Sequence, residues 1–156
     1  MSSPPLRIVR VLSAPPEEIF DAWTDAPSLA VWMAPGSVER SIVEVDPRVG
    51  GRFRILMKGP DCDHEHSGEY LVLERPRRLV FTWTSEATHG RSTTVSVELR
   101  PHGAGETELT LVHEGLPDEN AEDHRSGWGD ILRKLDARLA EKRGPRASSG
   151  GERRST

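Results

Sequence analysis

The spacing of apolar residues changes twice along the chain, from alternating to helical and back. Leu6 to Ser13 (LRIVRVLS) holds Ile8, Val9, Val11 and Leu12, a β-branched run of strand length. Pro15-Pro16 stops that strand, and proline is tolerated in a first helical turn. Glu17 and Glu18 follow where negative charge suits the positive end of a helix dipole. Ile19, Phe20, Ala22 and Trp23 then share one helical face, which predicts a short amphipathic helix. Asp25-Ala26-Pro27 restarts the chain into a second short helix over Ser28 to Met33, ended by Pro35-Gly36.

From Val38 to Glu114 the pattern alternates. Val43 and Val45 lead into Val49-Gly50-Gly51, a turn whose glycines accept positive φ. Phe53, Ile55 and Met57 then interleave with Arg52, Arg54 and Lys58, the mark of a strand with one buried and one wet face. Gly59-Pro60-Asp61 predicts a turn that extends through the polar residues to His66, before a strand running through Tyr70 to Leu73. Leu79, Phe81 and Trp83, then Val95, Val97 and Leu99, then Leu109, Leu111 and His113 predict three more strands joined by short links. Consecutive strands with short links favour an antiparallel meander.

The last predicted element is a helix from about Glu119 to Arg143. Trp128, Ile131, Leu132, Leu135 and Leu139 form its apolar stripe, and Gly144-Pro145 stops it. The expected fold is therefore α+β: a strand, two short helices, six strands and a long helix. A strongly curved antiparallel sheet wrapped around the terminal helix would bury all these faces at once.

Composition narrows the functional classes. Leu, Ile, Val and Phe supply 22% of the 156 residues, and all of them precede residue 140. The chain thus has enough core formers for one domain over residues 6–143, with residues 1–5 and a basic tail over 144–156 expected to be disordered. No apolar run reaches the roughly 18 residues of a membrane span, and Met1-Ser2-Ser3-Pro4-Pro5 lacks signal-peptide regions. Cys62 is the only cysteine, so no intrachain disulfide can form and a cytoplasmic setting is the default. The net charge is −4, and residues 141–156 carry five basic against two acidic residues, leaving −7 on the first 140. An acidic body is a poor match for nucleic acid.

Five segments together resemble a known family. They are Ala14 to Trp23 (APPEEIFDAW), Asp46 to Arg54 (DPRVGGRFR), Gly68 to Leu73 (GEYLVL), Arg78 to Trp83 (RLVFTW) and Thr107 to Leu116, followed by Gly127-Trp128 with Leu132 and Leu135. In this order, over about residues 7 to 140, they resemble the START-like, helix-grip superfamily, in the branch named for the activator of the heat-shock protein 90 ATPase. The resemblance implies a curved antiparallel sheet of about seven strands gripping the C-terminal helix, often with an apolar cavity between them. The superfamily includes lipid carriers, aromatic cyclases, hormone receptors and chaperone activators, so the fold alone does not select a function.

Candidate chemistry is sparse. Cys62, His64 and His66 would share one side of an extended segment, as metal ligands can, but no second cluster completes a ligand set, and no metal or other cofactor is expected. His113 falls on the inward side of its strand, where a lone histidine is more often a hydrogen-bonded structural group than a catalyst. Glu69, Glu98 and Glu114 are expected to face outward, and no GxSxG elbow, phosphate loop or HExxH occurs. Gly127 and Gly129 flank Trp128 inside the last helix, at a cost of about 1 kcal/mol each relative to alanine. They imply either a cavity mouth or close packing on the strand that ends at His113.

The first functional expectation is non-catalytic binding of a small hydrophobic or aromatic molecule between the sheet and the C-terminal helix. Its lining would be Trp32, Phe53, Ile55, Tyr70, Phe81, Trp83, Val95, Val97, Leu109, Leu111, His113, Trp128 and Leu132, with His113 and Tyr70 as polar anchors. The alternative is a protein-interaction module acting on a chaperone or regulator. A third reading is a polyketide-cyclase-like enzyme using His113 or Tyr70 as acid or base. The chain would act as a monomer or homodimer, away from nucleic acid and membranes.

Overall fold

A computed structural model describes residues 5–33, 41–58, 63–116 and 121–143. The expected N-terminal and C-terminal disorder, and the expected helix start at about Glu119, fall largely outside these residues. The order is β1 (Leu6–Leu12), α1 (Pro16–Ala22), α2 (Ala26–Trp32), β2 (Ser41–Val45), β3 (Arg52–Lys58), β4 (Asp63–Glu74), β5 (Arg78–Trp83), β6 (Thr93–Pro101), β7 (Thr107–Glu114) and α3 (Ala121–Arg143). A single 3-10 turn, Glu86–Thr88, sits between β5 and β6. The seven strands form one antiparallel sheet in the order β1-β7-β6-β5-β4-β3-β2.

Strand period and register place the predicted inner face on one side. Ile55 lies opposite Val43 and His66, Phe81 opposite Tyr70 and Val95, and His113 opposite Val95 and Leu6. Trp83, Val97, Leu99, Leu109 and Leu111 continue this face, and all are buried. The helices cover it: Ile19, Phe20 and Trp23 from the α1 segment, Leu29 and Trp32 from α2, and Trp128, Ile131, Leu132, Leu135 and Leu139 from α3 are all buried in the same cluster. Each large apolar side chain removed from water there contributes about 1.5–3 kcal/mol.

Two local features differ from the sequence pattern. The segment Asp63–His66, expected as a polar turn, continues β4, so that strand runs for 12 residues. Its outward charge is matched across the ladder, where Glu65 meets the Arg54 guanidinium at 3.1 Å. Further on, the β4–β5 register shifts between Tyr70 and Val72, inserting one residue. Such a bulge restores parity after a bend. Tyr70 and Leu73 can then both turn inward while Leu71 is left exposed.

Candidate functional site

His113 is fully buried, and its partners determine its protonation state. The Trp128 indole donates to His113 Nδ1 at 3.0 Å. Since an indole N–H can only donate, Nδ1 must be the unprotonated nitrogen. Nε2 therefore carries the hydrogen and faces Thr93 Oγ1 at 2.7 Å, while the Thr93 hydroxyl donates to the Trp83 carbonyl at 2.6 Å. The chain of donors runs one way from α3 through β7 and β6 to β5, and every position in it is filled. Burial, reinforced by the nearby His124, lowers the His113 pKa to about 3, so the ring is neutral at ordinary pH.

Tyr70 is also committed. Its hydroxyl donates to the Trp23 carbonyl at 3.2 Å, and burial raises its pKa well above the usual range for a phenol. Neither residue presents a free ionisable position.

The thirteen residues expected to line a ligand site are all buried, but they do not all meet one space. Phe53, Ile55, Tyr70, Phe81 and Trp83 line a small cavity together with Trp23, Leu29 and Met33. Trp32, Val95, Val97, Leu109, Leu111, His113, Trp128 and Leu132 are buried but do not line this cavity. This cavity lies between the α1–α2 segment and β3–β5. It is about 10 Å³ in volume, at the lower limit for one water molecule.

The space expected below Trp128 is filled by the indole itself, whose ring centre lies 5.1 Å from that of Trp83 and 6.3 Å from that of Trp23. The flanking glycines do not serve close packing. A Cβ at Gly127 would meet nothing within 4 Å among the described residues, and one at Gly129 would meet only the guanidinium ends of Arg10 and Arg133 at 3.9 Å.

Trp23, Leu29 and Met33 are missing from the sequence-derived lining because they read as ordinary helix-face core. Two polar atoms in the lining have no signal in the sequence at all. Trp23 Nε1 and Trp83 Nε1 are buried without a hydrogen-bond acceptor among the described residues. The other two indoles are satisfied, Trp128 by His113 and Trp32 by the Ala22 carbonyl at 3.2 Å.

Of the metal candidates, Cys62 lies outside the described residues. His64 is exposed, whereas His66 turns inward and packs against Trp83 with ring centres 4.8 Å apart. Burial, as the largest cause, lowers the His66 pKa to about 4. Among the described residues no group of three or more His, Cys, Asp or Glu side chains could hold a metal ion, and no helix is long and apolar enough to cross a membrane.

The opposite face of the sheet carries a wider open groove of about 720 Å³. Its lining is polar, with Glu44, Asp46, Glu65 and Glu69 around Arg52 and Arg54. Arg54 bridges Glu65 and Glu44, at 3.1 and 3.9 Å.

Comparison with known proteins agrees with this architecture. Residues 13–140 match the family model described as Activator of Hsp90 ATPase homolog 1-like protein. The chain is similar to a Chromobacterium violaceum protein of solved structure, with 31% identity over 85% of this chain and 94% of that one, at a TM-score of 0.73. It is also similar to an HSP90 activator from Plasmodium falciparum, with 26% identity over 88% and 97% of the two chains, at a TM-score of 0.71. A Nitrosomonas europaea protein shares 25% identity over 89% and 96%, at a TM-score of 0.75. No curated protein sequence matches. With nearly the whole described body matched, the chain belongs to the Activator of Hsp90 ATPase homolog 1-like family, within the START-like, helix-grip superfamily.

Proposed function

We propose that this domain binds, without catalysing a reaction, a small and largely apolar molecule in the cavity bounded by the α1–α2 segment and β3–β5. The observation that carries the reading is the cavity lining: eight mostly aromatic and aliphatic side chains, with the Tyr70 hydroxyl as a polar group among them. Apolar burial with a few fixed polar groups is the usual balance of a small-molecule site. The cavity as it stands admits about one water, so a larger occupant must displace part of the wall. Leu29 and Met33 are the movable part, because Leu29 comes from a helix of only seven residues, Met33 caps its end, and methionine is unbranched and adaptable. The neutral, doubly engaged His113 and the engaged Tyr70 support binding rather than proton transfer. A cytoplasmic setting fits the single cysteine.

Native mass spectrometry of freshly purified protein, with titration of an apolar fluorescent probe, tests the reading. A co-purified small molecule, or saturable probe uptake abolished by Leu29→Trp, is expected. A protein that carries nothing and takes up no probe overturns it.

The second reading is a protein-interaction module of the chaperone-activator type. It is favoured by the family, by the likeness to the Plasmodium falciparum HSP90 activator, and by the close packing of Trp128 on Trp83. The charged groove around Arg54 is the surface it would use. Stimulation of a purified Hsp90-class ATPase by this chain is the expected result, and an unchanged rate at saturating concentration overturns it.

A further inference from the structure

Arg10 interrupts the inner face of β1. It falls at the same parity as the buried Ile8 and Leu12, yet it is exposed. Its guanidinium reaches across to α3 at Gly129, where the Arg133 guanidinium arrives from the next helical turn. One nitrogen of each lies 3.9 Å from the point that a Cβ on Gly129 would occupy. Two like charges thus converge on one spot, an arrangement that repels unless negative charge lies between them. Arg133 is bridged to Asp130 on its own helix, whereas Arg10 donates to the neighbouring Val9 carbonyl at 3.0 Å. Among the described residues no carboxylate pairs with Arg10. Gly129 is a second, independent oddity. Inside a helix it costs about 1 kcal/mol relative to alanine, and no packing repays it, because those two guanidinium nitrogens are all that its Cβ would meet within 4 Å among the described residues. Arg125, Gly129 and Arg133 stand four residues apart on one line of α3, so the missing side chain leaves a notch between two arginines. Arg125 closes its N-terminal end, donating to the Arg7 carbonyl at 3.4 Å.

We propose that this notch is a binding site for a phosphate group, held between the Arg10 and Arg133 guanidiniums with Gly129 as its floor. The site shares no residue with the apolar cavity and stands independently of the reading given to it. Arginine forks match phosphate oxygens in pairs, and a dianion between two guanidiniums turns their repulsion into attraction. A carboxylate offers two oxygens, enough for one fork, whereas a phosphate group has three acceptor oxygens and can serve Arg10 and Arg133 together. Glycine at 129 is what such a ligand requires, since a longer side chain would occupy the space between the two forks. The phosphate is either free or carried as an ester on a small molecule.

The test is a titration of nitrogen-15-labelled protein at about pH 7.5, where phosphate is mainly dianionic, with ionic strength held constant by sodium chloride. Inorganic phosphate should move the Gly129 amide and the Nε–H signals of Arg10 and Arg133 saturably. Arg10→Gln and Arg133→Gln should each weaken binding about tenfold or more. Arg100→Gln makes the same charge change on the exposed side of β6 and should leave binding unaltered. Gly129→Leu should abolish binding while thermal melts show the domain still folded. Acetate should bind at least about tenfold more weakly than phosphate. Phenyl phosphate identifies the source: tighter binding than inorganic phosphate assigns an esterified small molecule, and equal or weaker binding assigns the free ion. The absence of a saturable shift, an equal response to acetate, or an equal loss in Arg100→Gln overturns the proposal.

Discussion

Lowering the pH from 7 to 5 should cost this domain much of its stability, and the two inward-facing histidines set the amount. His113 and His66 have folded pKa values near 3 and 4, against 6.5 for an ordinary histidine. In the window between, the unfolded chain binds protons that the folded chain refuses. Stability is therefore fully present above pH 6.5 and is lost as pH falls from there toward the folded values. At pH 5 each histidine costs about 2 kcal/mol relative to pH 7, so the pair costs about 4 kcal/mol, a large share of what a domain of this size has. Urea titrations at the two pH values measure the difference directly. His113→Gln removes one of the two titrating groups, so the pH 7 to pH 5 loss should fall to about half, whatever the variant's absolute stability. A wild-type loss below about 1 kcal/mol, or a His113→Gln variant with the full wild-type loss, would refute the assignment of His113 as a neutral buried group.

Two further outcomes follow from packing. Leu135 is fully buried on the inner stripe of α3, and Leu135→Ala should cost about 2–5 kcal/mol in an equilibrium urea titration. Gly127→Ala should do the reverse, raising stability by about 0.5–1 kcal/mol and the melting temperature with it, because the added methyl meets open space within a helix. A fall in melting temperature would mean that Gly127 is held by a close approach after all.

The sheet's inner face was readable because it obeys a local rule. Phe53-Ile55-Met57, Leu79-Phe81-Trp83 and Leu109-Leu111-His113 each fall at every second position, so parity places them even though Leu56, Val80 and Val112 stand between them. The α3 stripe was equally local. What escaped the sequence depends on partners distant in the chain. Asp63 to His66 looks like a turn by composition, yet Arg54, eleven positions before Glu65, draws it into β4. Parity turned His113 inward, but its neutrality comes from Thr93 and Trp128, 20 and 15 positions away in opposite directions. The place of the cavity behind β3–β5 was hidden for the same reason. Its walls come from two short helices and three strands, and nothing in the spacing of Trp23, Leu29 and Met33 distinguishes a residue that borders a space from one that fills it.

The pairing of β1 has a consequence for how the chain is made. Its one strand partner is β7, with Leu12 opposite Thr107 and Leu6 opposite His113. Made before the other six strands described here, β1 must therefore wait for roughly a hundred further residues, on the order of 5–20 s of synthesis, before its backbone finds its ladder. During that interval Ile8, Val9, Val11 and Leu12 form a β-prone edge with no sheet to join, while the meander from β2 to β6 can assemble from near neighbours. Closure by β1 is then a late event that seals the sheet from the outside. Arg7 and Arg10, interleaved with this apolar run, place charge on the segment that has the longest time to meet another nascent chain.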